Sequence, residues 1–212
     1  MAVAPARLNW GEIMAKGASR GLVARISAGY RDVRGSMVQV LADRPSEGGL
    51  LALILLVSVV GFLANLPDAA AQARAGGAET PLVGVLAGRL FAAIFLTPLA
   101  VYAVAALTHL IAKPLGASGD FYAARAALAW AMALALPLVV LDGVVGALTL
   151  GAASAGLGGV GLAVSAAAGI GFLWLWALCL TQAEGFASFR PGFAIISAII
   201  FLPAALVVAF RG

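Results

Sequence analysis

The segment LLALILLVSVVGFLANL, residues 50–66, carries no charged side chain. A bilayer core is crossed by about 20 predominantly apolar residues in helical form. Lipid offers the backbone no hydrogen-bond partner, so an apolar run of this length is helix and not strand. Working outward, four more stretches share this character: Leu82–Ala112, Tyr122–Leu150, Leu157–Leu180 and Gly192–Phe210. The sequence therefore predicts an all-α, polytopic membrane helix bundle of five transmembrane helices over residues 49–212. A basic segment, residues 1–48, precedes it.

Composition points the same way. The chain is 63% hydrophobic and 10% charged, against roughly 25% charged for soluble domains. Its mean hydropathy is +1.07. The 212 residues suit one helical bundle with a short appendage. The single cysteine, Cys179, lies inside the fourth stretch, so no intrachain disulfide can form. No apolar core followed by a small-residue cleavage site occurs before residue 50, and the first span is expected to serve as its own uncleaved insertion signal.

Lys and Arg set the expected orientation. Residues 1–48 hold Arg7, Lys16, Arg20, Arg25, Arg31, Arg34 and Arg44. Five spans place Lys113, Arg125 and Arg190 on the same side, and only Arg74 and Arg211 on the other. Such a bias puts the N-terminus in the cytoplasm and the C-terminus on the far side. The net charge of +4 is mostly this asymmetry. No aromatic interleaving or metal-ligand spacing suggests nucleic-acid binding.

Leu22, Ile26, Tyr30, Val33, Met37 and Val40 recur at spacings of four and three, an arc of about 80° on one amphipathic helix. Arg20, Arg31 and Arg34 lie off that stripe, as a membrane-surface basic face would. The helix can rest on anionic lipid headgroups, or it can simply cap the cytoplasmic ends of the bundle.

Charged residues inside spans are functional hypotheses by default. Arg89 and Asp142 lie at matching depth, ~12 Å from the non-cytoplasmic ends of spans two and three. They are expected to approach each other as an intramembrane ion pair, serving either helix packing or a proton or ion relay. His109, the only histidine, shares the cytoplasmic end with Asp120 and Glu184, which suggests a small polar cluster. A lone interfacial histidine suits a hydrogen bond across helices. Ser118 and Asp120 suit capping of the third span. Gly156, Gly158 and Gly161 spell GxGxxG, but no strand precedes them, so the dinucleotide reading fails. Gly161, Ser165 and Gly169 recur every four residues as a helix-packing ridge. Trp174 and Trp176 suit an interfacial aromatic belt. Pro98, Pro137 and Pro203 are expected to kink spans two, three and five.

The loop Ala112-Lys113-Pro114-Leu115-Gly116-Ala117-Ser118-Gly119-Asp120-Phe121 resembles the glycine-containing turn between spans two and three of the Yip-domain (Ypt-interacting) membrane protein family, in its bacterial branch. Trp130 with Pro137, and Trp174 to Pro191 with Gly185-Phe186, are similar to the family's following helix and fourth hairpin. The likeness covers roughly residues 44 to 210. Asp43-Arg44-Pro45-Ser46-Glu47 stands where eukaryotic members carry an acidic and aromatic motif, which argues against a Rab-type GTPase partner. The resemblance implies a non-enzymatic scaffold, adaptor or membrane-organising factor without cofactor, in the bacterial cytoplasmic (inner) membrane, whose partner is another membrane protein or a second copy. The competing reading is a small transporter, channel or exporter subunit. A membrane-embedded enzyme would need a nucleophile with a base, paired carboxylates or a metal set, and one Cys and one His on different spans do not supply it.

Overall fold

A computed structural model describes residues 21–76, 81–150 and 158–211, with side chains to Ile200. The described residues are helical with short connections: α1 (Leu22–Gly29), α2 (Val33–Asp43), α3 (Glu47–Ala64), α4 (Leu66–Ala75), α5 (Leu82–Phe91), α6 (Thr97–Ala112), α7 (Phe121–Thr149), α8 (Gly158–Ala183) and α9 (Phe189–Arg211). Four stretches are long and apolar enough to cross a membrane: Glu47–Ala64, Leu82–Leu115, Phe121–Thr149 and Gly158–Ala183. Each falls within a few residues of a span expected from hydropathy. At the fifth expected span, α9 is 23 residues long, but its apolar described part, Phe189–Ile200, is shorter than a span.

The centre of the bundle is α7. Ala123, Ala124, Ala126, Ala127, Ala129, Ala131, Ala133 and Ala135 are all buried. A helix apolar on every face is surrounded, and alanine's small side chain lets neighbours come close from all sides. Accordingly α7 packs most extensively on α8, then on α3 and α6, and it also touches α1, α2 and α4. The α3 and α7 helices run parallel: Arg125 pairs with Glu47 near their starts, and Gly143 lies against Ala64 near their ends. α8 runs antiparallel, with Ser165 on Asp142 and Gly171 against Leu138.

Local chemistry sets the boundaries. Asp32, Ser46 and Asp120 cap α2, α3 and α7 by accepting from Gly35, Gly49 and Ala123 N–H, satisfying donors that the first turn leaves free. After α8, Gly185 takes φ +69, and Phe186 N–H donates to Thr181 C=O at 3.0 Å. This is the left-handed glycine stop common at helix C-termini.

The N-terminal segment departs from expectation. The six-residue stripe does not form one helix. Asp32 caps a second helix in mid-segment, and α1 and α2 fold as a hairpin packed on α7 and α8. Ile26, Met37 and Val40 are buried in the shared core. Tyr30 Oη–H donates to Leu134 C=O, and Trp130 Nε1–H donates to Ser36 Oγ at 3.0 Å. The break lets both halves of the stripe meet α7 where one rigid rod would diverge from it.

Two further differences concern connections. The loop after the first span contains helix α4, started by Pro67 in its first turn with Ala69 and Ala73 buried. In span two, the residues before Pro98 widen into a π turn, Ala92–Leu96, in which Thr97 N–H reaches Ala92 C=O. The proline ring would clash with the carbonyl four residues earlier, and the wider turn relieves that clash. α7, by contrast, continues through Pro137, and α9 is continuous over position 203.

Candidate functional site

The pentapeptide Asp43-Arg44-Pro45-Ser46-Glu47 ties the two N-terminal elements to the bundle, and each member has a task. Asp43 accepts from Arg25 at 2.8 Å. Arg44 reaches Asp120 at 3.4 Å and lies 4.9 Å over the Tyr122 ring. Pro45 C=O accepts from Tyr122 Oη–H at 2.7 Å. Ser46 caps α3. Glu47 accepts from Arg125 and, at 3.2 Å, from Tyr102 Oη–H. Arg44 adopts φ 40, the described residues' one positive-φ position outside glycine. The result is a polar collar that joins α2, α3, α6 and α7 at one end of the bundle.

Beside the collar, His109 and Glu184 are bonded to each other, Nδ1 to Oε1 at 2.9 Å, with side chains 1% and 0% exposed. The Phe121 ring lies 4.4 Å from the imidazole, and Ser118 N–H donates to Glu184 C=O at 2.9 Å. Gly119 lies against Ala183 C=O and Glu184 so closely that no Cβ would fit. Burial pushes the Glu184 carboxyl up from its ordinary value, while His109 pulls it back. Asp120, expected in the same cluster, instead caps α7 and pairs with Arg44, though it is near enough for its charge to act on Glu184.

At the opposite end, the expected Arg89–Asp142 pair does not form. Arg89 donates to Asp68 at 3.0 Å and to Gln72 at 2.7 Å, both on α4. Asp142 accepts from Ser165 Oγ–H at 2.6 Å. Equal depth does not fix rotation about the helix axis, and α4 places a carboxylate on α5 first. Between these two bonded groups lies a cavity of about 270 Å³ lined by Asn65, Asp68, Asp142 and Ser165 together with Gly143 and Gly146. A double-mutant cycle should therefore give ~0.2–1 kcal/mol of coupling for Arg89→Ala with Asp68→Ala. Arg89→Ala with Asp142→Ala should be additive. Chemical unfolding of the purified protein in detergent measures both, and a coupled second cycle would contradict this geometry.

The small-residue ridge serves in part. Gly161 packs on Thr149, and Ser165 bonds Asp142, but a Cβ at Gly169 would meet nothing within 4 Å. Trp174 is exposed, whereas Trp176 is buried beside Phe172. Arg31 and Arg34 are exposed on the hairpin, and Arg20 lies outside the described residues.

Among the described residues, every Asp and Glu is thus an acceptor in an ion pair, a cap or a side-chain hydrogen bond. They contain no group of three His, Cys, Asp or Glu placed to hold a metal ion. Sequence reading missed Tyr102, Tyr122, Arg125 and Glu47 as a set. Their signal was an acid in the first turn of one span facing an arginine and tyrosines in parallel and antiparallel neighbours. No family model matches the chain, and neither a curated protein nor a solved structure matches it.

Proposed function

We propose that the chain is a non-enzymatic scaffold or adaptor of the Yip-domain type, in the inner membrane of a bacterium. In this reading α9 supplies a fifth span, the collar end faces the cytoplasm and the C-terminus lies on the far side. The excess of Lys and Arg at the collar end supports that orientation. The carrying observation is the docked α1–α2 hairpin. Its apolar stripe packs on α7 and α8, while Arg31 and Arg34 are exposed and have no carboxylate partner among the described residues. A docked platform with exposed cations suits contact with anionic headgroups and with an acidic face of another membrane protein.

In-membrane crosslinking from the hairpin tests this. Recovery of one stoichiometric partner, lost in Arg31→Glu, Arg34→Glu, is the expected result. A second reading, a small transporter, draws on the polar cavity between Asp68 and Asp142. Solute flux in liposomes holding this protein alone would favour it and overturn the scaffold.

A further inference from the structure

The helices long enough to cross a membrane do not offer lipid the same apolar length on every side. Along α5 and α6, exposed apolar side chains run from Val83 to Leu110, about 40 Å at the helical rise. Along α8 they run only from Val160 to Trp174, about 21 Å. From Leu175 to Thr181 every residue of α8 is buried, and the helix packs on α2 and α9 as well as on α7. A hydrocarbon core is about 30 Å thick. One face of the bundle therefore exceeds it and another falls short.

The α1–α2 hairpin marks the upper limit of the short face. Tyr30 bonds Leu134 C=O, and Gly29 lies against the Leu134 side chain, so the turn between α1 and α2 is level with Leu134. Gly171 lies against Leu138, and the antiparallel course of α8 brings Trp174 level with Ala135. At this one height Arg31, Asp32, Arg34 and Trp174 are all exposed. Charged side chains need headgroups or water there, and an exposed tryptophan suits the same boundary. Just beneath, Val23 and Ile26 of α1 line an apolar gap of about 540 Å³ with Val60, Leu136 and Val144. That gap is continuous with Val140 and Leu141, exposed on the membrane-crossing surface of α7. From Leu134 to the end of α7 at Thr149 is only about 22 Å.

We propose that the charged turn of the hairpin holds the phospholipid headgroups at the level of Leu134 and so thins the bilayer beside α7 and α8. The thinning is ~8 Å against an ordinary core. Lipids with short acyl chains meet that depth without compression, and they gather on this face. The α5–α6 face takes ordinary or longer chains. This asymmetry follows from the spans and the hairpin alone, whichever end faces the cytoplasm and whether or not the protein is a scaffold.

Equimolar vesicles of dimyristoleoyl and dieicosenoyl phosphatidylcholine, with one or the other brominated at its double bonds, test this with the full chain. Bromine quenches tryptophan only at contact range. Leu141→Trp places a reporter on the short face and Phe95→Trp one on the long face, both at exposed positions. The emission difference from wild type isolates each reporter. At residue 141 the brominated short lipid should quench at least twofold more than the brominated long one, with no such excess at residue 95. Adding Arg31→Leu and Arg34→Leu should abolish the excess at 141 with unchanged helical circular dichroism. Equal quenching by the two lipids at 141 would overturn the proposal, as would the same excess at 95. An excess that survives loss of both arginines would overturn it too, since the hairpin would not be what holds the headgroups. Quenching by neither lipid at 141 would mean that protein, such as a second copy, covers the face and lipid does not.

Discussion

Glu184→Ala should destabilise the bundle by about 3–5 kcal/mol, because removing one partner of a buried pair strands the other. His109 would remain enclosed by Phe121 and the Ser118–Gly119 loop with its Nδ1 unbonded. The loop would loosen as well, since Gly119 is fitted against the Glu184 side chain. Glu184→Gln keeps the volume and a hydrogen-bonding group, so its loss should be clearly smaller. The two variants also differ in their dependence on pH. Glu184 titrates above its ordinary value of 4.5 in the fold, first because it is buried. The folded state therefore holds a proton that the unfolded state has released, and stability falls as pH rises from that ordinary value through the raised one. Thermal unfolding in detergent across that window should show the decline in wild type and a flatter profile in Glu184→Gln. A decline of equal slope in both would show that another group governs it.

Gly143→Leu is the second large effect. A Cβ at residue 143 would stand 2.8 Å from the carbonyl carbon of Ala64 and 3.0 Å from its Cβ. The obstacle is mainly backbone, so no rotamer change relieves it, and the ends of α3 and α7 must separate. Overpacking of this kind costs about 1–3 kcal/mol and sometimes more. Separation would also disturb Asn65, Asp68 and the cavity they share with Asp142. Gly146→Leu is the matched control, one turn on in the same helix. A Cβ there meets nothing within 4 Å, and stability should change little. Equal losses at 143 and 146 would mean that glycine itself, and not the close approach, matters.

The spans were legible because apolar length is a property of consecutive residues. Asp120 is legible as the cap of the third span for the same reason, whereas Ser118, which suits that role in the sequence, bonds Glu184 C=O instead. Partner choice was far less legible. Arg89 and Asp142 match in depth, but depth is one coordinate of three, and the Ala-rich α4 gave no hydropathy signal that a carboxylate would be lifted to Arg89. The stripe from Leu22 to Val40 marks the buried face at Ile26, Met37 and Val40 but not at Tyr30, which is exposed, and Asp32 divides it by capping a second helix. His109 and Glu184 were placed at one end by loop assignment. Their burial depends on Phe121 and Gly119 closing over them, which only the packed structure determines.

The collar ties have sequence separations of 76, 77 and 78 residues: Arg44 to Asp120, Pro45 to Tyr122 and Glu47 to Arg125. During synthesis, then, the first span enters the membrane well before the groups that will fasten it exist. Until the third span arrives, Arg44 lacks Asp120 and Tyr122, Glu47 has only Tyr102 of the second span, and the α1–α2 hairpin has no α7 or α8 to rest on. The chain is consequently fastened from its middle backward: a ribosome that stops short of Arg125 leaves an inserted but unlatched first helix, a form that a membrane quality-control protease could tell from the finished protein.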